Sequence, residues 1–153
     1  MGSFDDKVVL VTGGNSGIGK VTACAFAKEG AYVVIAARRK EAGLEVVEKI
    51  AATGGKAGYI QCDVTQGPDV EQLVRRTVEI YGRLDVAFNN AGTAGDKIAL
   101  ADMSEAQFDQ IVNLNIKGTW WCMKYEIQSM LQSGGGCFPS ARGKACGGSQ
   151  RLT

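Results

Sequence analysis

The sequence contains no histidine. That removes His-based nucleophilic triads and His metal sites from consideration, and no metal is expected. No apolar run reaches the roughly 18 residues that a membrane span needs. Residues 1–6 are short, polar and acidic rather than leader-like. Neither sign of charge dominates: Lys plus Arg is 17 against 16 Asp plus Glu, a net charge of +1. The balance argues against a nucleic-acid partner and against a polybasic membrane surface. The five cysteines, Cys24, Cys62, Cys122, Cys137 and Cys146, are odd in number and show no C-x-x-C spacing. Buried free thiols in a reducing cytoplasm are the expectation. Proline is scarce at 2 and glycine abundant at 21, so the glycines need a structural reason.

A chain of 153 residues, 45% apolar and 22% charged, supports one globular domain with a real core. A short β-branched run at 7–12 reads as a strand buried on both faces, 32–37 as a second buried strand, and 56–62 and 84–88 as a third and a fourth strand. Helical periods separate them. Ile18, Val21, Thr22, Ala25 and Phe26 share one spacing, and Leu44, Val47 and Ile50 or Ala51 a second. Val70, Leu73, Val74, Thr77, Val78 and Tyr81 form a third stripe, with Pro68 suited to a first turn. Ser104 and Gln107 make a capping box for a long helix. Its inward stripe would be Phe108, Ile111, Val112, Asn115, Thr119, Trp120, Met123 and Ile127. Strands alternating with helices predict an α/β, doubly wound parallel sheet in the order 3-2-1-4, with right-handed crossovers and flanking helices.

The most informative stretch runs from Thr12 through Gly13, Gly14, Asn15, Ser16, Gly17 and Ile18 to Gly19. It follows a strand and opens a helix, the context that makes a glycine motif credible. Gly13 allows a tight turn off the strand. Gly17 leaves room for a pyrophosphate to approach the backbone, and Gly19 lets the helix pack close to the sheet. The helix dipole and its first N–H groups then face the anion.

The pattern T-G-x-x-x-G-I-G resembles the short-chain dehydrogenase/reductase (SDR) family. Further motifs follow in the family's order: Asp63-Val64 after the third strand, Asn89-Asn90-Ala91-Gly92 after the fourth, and Asn113-Leu114-Asn115-Ile116-Lys117-Gly118 in the long helix. The resemblance covers about residues 7–136 and implies an incomplete, Rossmann-like dinucleotide-binding domain. It implies that Asp63 bonds the adenine amine and Val64 flanks the ring. Asn89, Ala91 and Gly92 would shape the floor beneath ribose and nicotinamide, while Asn115 would hold a water in the family's proton relay.

Sites that choose NAD usually carry an acidic residue about 20 residues past the glycine turn. Here the second strand runs into Arg38, Arg39 and Lys40. A guanidinium can pair with a 2′-phosphate in fork geometry, so NADP is the preferred cofactor and NAD the alternative. Asn15 and Ser16 would add polar contacts.

The family's catalytic Ser and Tyr-x-x-x-Lys do not occur. The tyrosines are Tyr32, Tyr59, Tyr81 and Tyr125, and none has Lys four residues later. Ser140 lies near the family's serine position but has no strand before it, and is not expected to be catalytic. After Gly136 the apolar pattern stops, so residues 137–153 read as an irregular tail and 1–136 as the domain. An out-of-frame reading of a longer gene would produce such a tail.

The resemblance implies an NAD(P)-dependent oxidoreductase that moves hydride between cofactor and an alcohol or carbonyl of a small-molecule substrate. A full-length form would be a homo-oligomer, paired through the long helix by residues such as Trp120, Trp121 and Met123. The competing readings are an inactive nucleotide-binding fragment and a pairing module for full-length relatives.

Overall fold

The computed structural model describes residues 2–139. Strands β1 (Val8–Thr12), β2 (Tyr32–Ala37), β3 (Lys56–Gln61) and β4 (Val86–Asn89) alternate with helices α1 (Gly17–Lys28), α2 (Lys40–Ala52) and α3 (Gly67–Tyr81). A single 3-10 turn, Leu100–Asp102, leads into α4 (Glu105–Val112), a π-helical turn (Asn113–Gly118) and α5 (Thr119–Gln132). All strand pairs are parallel, in the order β3-β2-β1-β4. This is the Rossmann-like doubly wound arrangement expected from the alternation.

Period-2 alternation divides the central strands between two cores. Val8, Leu10 and Val34 face a layer with Leu73, Leu84 and Met130. Val9, Val11 and Ile35 face the other, with Ala23, Val46 and Ile50. Each of the Val, Leu, Ile and Met side chains taken fully out of water contributes about 1.5–3 kcal/mol. The central strands are therefore apolar on both faces, which holds the sheet in the middle of the molecule and leaves its strand ends for binding.

Helix phase differs from the expected stripes. In α1 the buried residues are Gly19, Ala23 and Ala27, while Ile18 and Val21 are 73% and 70% exposed. In α2 they are Gly43, Val46 and Ile50, and Leu44 turns outward. Close approach explains both. A Cβ on Gly43 would lie 2.3 Å from the Tyr59 ring, and one on Gly19 would lie 2.3 Å from the Gly13 carbonyl oxygen. The faces that fit against the sheet are the small ones, not the most apolar. Helix α3 follows its expected stripe and carries proline in its first turn.

The capping box forms as read from the sequence: Gln107 N–H donates to Ser104 Oγ at 3.3 Å and Ser104 N–H to Gln107 Oε1 at 2.9 Å. The long helix is not uniform, however. The π-helical turn inserts extra residues, and one added residue rotates the following helix by about 100°. Beyond it the buried stripe is Gly118, Cys122, Glu126 and Met130. Trp120 and Met123, expected inside, are 51% and 41% exposed.

The outer edge of β4, which an incomplete sheet would leave open, is partly covered. Cys137 N–H donates to the Asp85 carbonyl at 2.8 Å and the Cys137 carbonyl accepts from Ala87 N–H at 3.1 Å. Phe138 packs on the core beside it. Glycines at 134 and 135, with φ of 92° and 121°, turn the chain back from α5 to reach that edge. Cys24, Cys62 and Cys122 are free thiols as expected; Cys137 is disulfide-bonded, which no spacing in the sequence signalled. Ser140 and the rest of the expected tail lie outside the described residues.

Candidate functional site

The cleft opens where the sheet order reverses, at the carboxyl ends of β1 and β4. It encloses about 580 Å³ and runs along the ends of β2 and β3. Open α/β sheets place ligands at this point because the connections on either side diverge and leave a crevice.

Its floor is the glycine turn. Gly13, at φ 66°, donates its N–H to the Ala36 carbonyl at 2.8 Å. Ser16 is the N-cap of α1, yet no side chain caps that helix. Its first N–H groups are therefore without side-chain partners, and Asn15, Ser16, Gly17 and Ile18 line the cleft beside them. Gly17 has φ 50° and nothing within 4 Å of the place where a Cβ would sit. An anion brought to that opening meets backbone donors and the positive end of the helix. Gly19 does not line the cleft; it is buried beneath the turn.

The wall opposite is the segment after β4. Thr12 Oγ1 accepts from Asn90 N–H at 3.1 Å and from Ala91 N–H at 3.2 Å. Asn90 Nδ2 donates to the carbonyls of Thr12 and Gly13, each at 3.3 Å. These bonds stitch the wall to the glycine turn and bring Asn90, Ala91 and Gly92 to the cleft. Asn90 was not singled out from the sequence, although it stands inside the motif. Asn89 was, but its side chain turns away from the cleft: Nδ2 donates to Glu126 Oε2 at 2.7 Å.

At the far end, Asp63 and Val64 reach the cleft with Cys62. Asp63 Oδ1 accepts from Thr65 N–H at 3.0 Å and Thr65 Oγ1 at 2.8 Å, which fixes the carboxylate in a turn while it faces the opening. Val64 is buried, with the backbone of Gly118 against it. Burial pushes the Cys62 thiol up to about 12, so it remains protonated and is no nucleophile at neutral pH.

Arg38 and Arg39 flank the end of β2. Both are exposed, and neither has an ion-pair partner among the described residues. The strand end is held from below, where Tyr59 Oη donates to the Ala37 carbonyl at 2.7 Å and Gln61 Nε2 donates to the Arg38 carbonyl at 3.1 Å.

Asn115 sits on the π-helical turn, outside the cleft proper, while its neighbour Leu114 lines it. Asn115 Nδ2 donates to the Thr93 carbonyl at 2.7 Å and Oδ1 accepts from Thr93 N–H at 2.8 Å. Its side chain thus positions the loop after Gly92. Sequence reading missed Glu126 altogether: it is wholly buried, and burial pushes its carboxyl up to about 7. A Glu within a helical period looks like an exposed residue, so nothing in the sequence marked it.

A parallel sheet in this order, with a glycine turn opening on its switch point, defines a Rossmann-like α/β domain. Residues 7–137 match the family model for short chain dehydrogenases. The 2,5-dichloro-2,5-cyclohexadiene-1,4-diol dehydrogenase of Sphingobium indicum is 43% identical over 134 residues, spanning 88% of this chain and 52% of that protein. Among solved structures, a short-chain type dehydrogenase/reductase from Mycobacterium marinum superposes with a TM-score of 0.85 at 36% identity, over 88% of this chain and 55% of that one. An actinorhodin polyketide ketoreductase crystallised with NADPH gives 0.83 at 35% identity, over 90% and 53%. This chain belongs to the short-chain dehydrogenase family, and it spans about half the length of the curated relatives it matches. Among the described residues no helix is long and apolar enough to cross a membrane.

Proposed function

We propose that this chain is the nucleotide-binding half of an NADP(H)-dependent oxidoreductase acting between a small-molecule alcohol and its carbonyl. The observation that carries the reading is the uncapped start of α1, open at Gly17, in the same cleft as Arg38 and Arg39, which have no ion-pair partner among the described residues. Pyrophosphate would rest on Gly13, Asn15, Ser16, Gly17 and Ile18. A 2′-phosphate would meet Arg38 and Arg39, which favours NADP over NAD. Adenine would lie against Asp63 and Val64, and the nicotinamide end beside Ala91 and Gly92. Gly19 and Asn89 act from beneath: Gly19 sets the approach of α1, and Asn89 anchors the wall.

The nicotinamide, when bound, gives or takes the hydride; the residues described here bind and orient it. Asn115 is a positioning residue that holds the Thr93 loop at the mouth of the cleft. No tyrosine of the chain is followed by lysine four residues later, so we assign proton transfer to the complete fold and expect these 153 residues alone to bind without turning over. The exposed Trp120 and Met123 on α5, with Lys124 Nζ 5.4 Å from the Trp120 ring, favour a second role for that helix in homo-oligomer pairing.

Ligand-dependent melting tests the reading, because a ligand that binds only the folded state raises Tm. NADP should raise it more than NAD, and adenosine alone should have little effect. No shift with either dinucleotide would overturn the proposal; a larger shift with NAD would overturn the role of Arg38.

A further inference from the structure

Among the described residues, two buried side-chain atoms have no hydrogen-bond partner: Asn89 Oδ1 and Glu126 Oε1. They belong to side chains already joined by the bond from Asn89 Nδ2 to Glu126 Oε2 at 2.7 Å. Both orphans are acceptors if Glu126 is ionised, so no rotation of either group could satisfy the other. Leaving them so is costly, since a buried polar group without a partner loses its hydration and gains nothing. A proton on Glu126 Oε1 supplies the donor that both lack. A carboxylic acid and a primary amide each offer one donor and one acceptor side by side, and the two close into a ring.

We propose that Glu126 is held in the folded chain as the neutral carboxylic acid, paired to Asn89 by two hydrogen bonds, and that its ionisation unlocks the end of β4. Among the described residues the surroundings supply no positive charge. On α5 the Cys122 thiol lies one turn earlier, and Cys62 lies across the core; burial first of all pushes both thiols up, with Asp69 and Asp63 adding to the rise at Cys62, so neither thiol offers a positive charge. The face that α3 packs against α5 presents Val70, Leu73, Val74 and Thr77, while its charged residues Asp69, Glu71, Arg75, Arg76 and Glu79 are exposed. On the π-helical turn Lys117 points outward. Asp85, at the other end of β4, is held by Lys7 and Arg83. From the chain after α5, Phe138 adds an apolar side chain to this core. Among the described residues an ionised Glu126 would have one amide N–H, that of Asn89, to balance its charge.

Asn89 directly precedes Asn90 and Ala91, whose backbone N–H groups bind Thr12. Loss of the acid–amide ring therefore loosens the wall of the cleft from behind. This device stands on the fold alone and does not require the nucleotide reading.

Burial pushes the Glu126 carboxyl from 4.5 up to about 7. The folded chain keeps this proton where the unfolded chain has lost it. The contribution to stability is complete below the unfolded value and is lost as pH rises toward about 7. Side-chain carboxyl ¹³C shifts should show one glutamate titrating near neutrality in the full chain, absent in Glu126→Gln, with the Asn89 amide moving at the same midpoint. Glutamine reproduces the neutral acid's donor and acceptor. Glu126→Gln should therefore match the natural chain in Tm at about pH 5 and exceed it at about pH 8, the two profiles diverging between. If all glutamates titrate near the ordinary value of about 4.3, or if the two Tm profiles run parallel, the proposal is overturned.

Discussion

Asn115 and Thr93 are joined twice: Nδ2 donates to the Thr93 carbonyl at 2.7 Å, and the Thr93 N–H donates back to Oδ1 at 2.8 Å. The side chain thus completes, for a loop residue with no strand partner, the pair of bonds a ladder would provide. Asn115→Ala removes both. Each such bond contributes about 0.5–1.5 kcal/mol net, and the site is solvent-accessible, so we expect a loss of roughly 1 kcal/mol in chemical denaturation. Amide exchange at Thr93 should accelerate well beyond that of β1. Unchanged protection at Thr93 would contradict the positioning role.

Two glycines of the same turn separate packing from access. A Cβ on Gly19 would lie 2.3 Å from the Gly13 carbonyl oxygen and 2.5 Å from Asn90 Nδ2. Gly19→Ala must push α1 off the sheet and should cost about 1–3 kcal/mol. Gly17→Ala meets no atom within 4 Å but sits at φ 50°, and should cost only about 1 kcal/mol. That methyl stands in the opening of the cleft, so Gly17→Ala should weaken dinucleotide binding more than its small Tm loss implies. Equal destabilisation of the two variants would refute the distinction.

Arg38 decides cofactor preference under the proposed function. Arg38→Asp replaces a phosphate-pairing fork by a group that repels phosphate and accepts from a ribose hydroxyl. A hydrogen bond to a charged group is worth about 1.5–3 kcal/mol, so NADP affinity should fall roughly 10- to 100-fold while NAD affinity holds or improves. Calorimetric titration with both dinucleotides checks it; parallel loss of both would assign Arg38 a structural role.

Asp85 ties the start of β1 to β4. Its Oδ2 accepts from the buried Val8 N–H at 3.0 Å, and Lys7 and Arg83 pair with Oδ1. Asp85→Ala leaves the Val8 donor unsatisfied, which costs about 1–3 kcal/mol, whereas Asp85→Asn keeps an acceptor and should lose less. Urea midpoints of the two variants separate the buried bond from the half-exposed ion pairs.

The order of strands and helices, the glycine turn and its place on a strand–helix junction were legible in the sequence alone. They follow from local rules: β-branched runs buried on both faces, caps, turns and the handedness of crossovers. Those rules were enough for the sheet order, while the family was legible through the resemblance of the glycine turn and of the Asn89-Asn90-Ala91-Gly92 stretch to its motifs. Tertiary structure alone decided which face α1, α2 and α5 turn inward, whereas α3 kept the stripe its sequence shows. Gly19, Ala23 and Ala27 face the sheet, rather than Ile18 and Val21, because proximity to a sheet rewards small size as much as apolarity. It also decided the π-helical turn, whose shift of phase carried Trp120 out and Glu126 in, and the partner of Asn89. A buried carboxyl facing an amide forms no pattern along the chain, because its two members are brought together only when α5 packs across the end of β4.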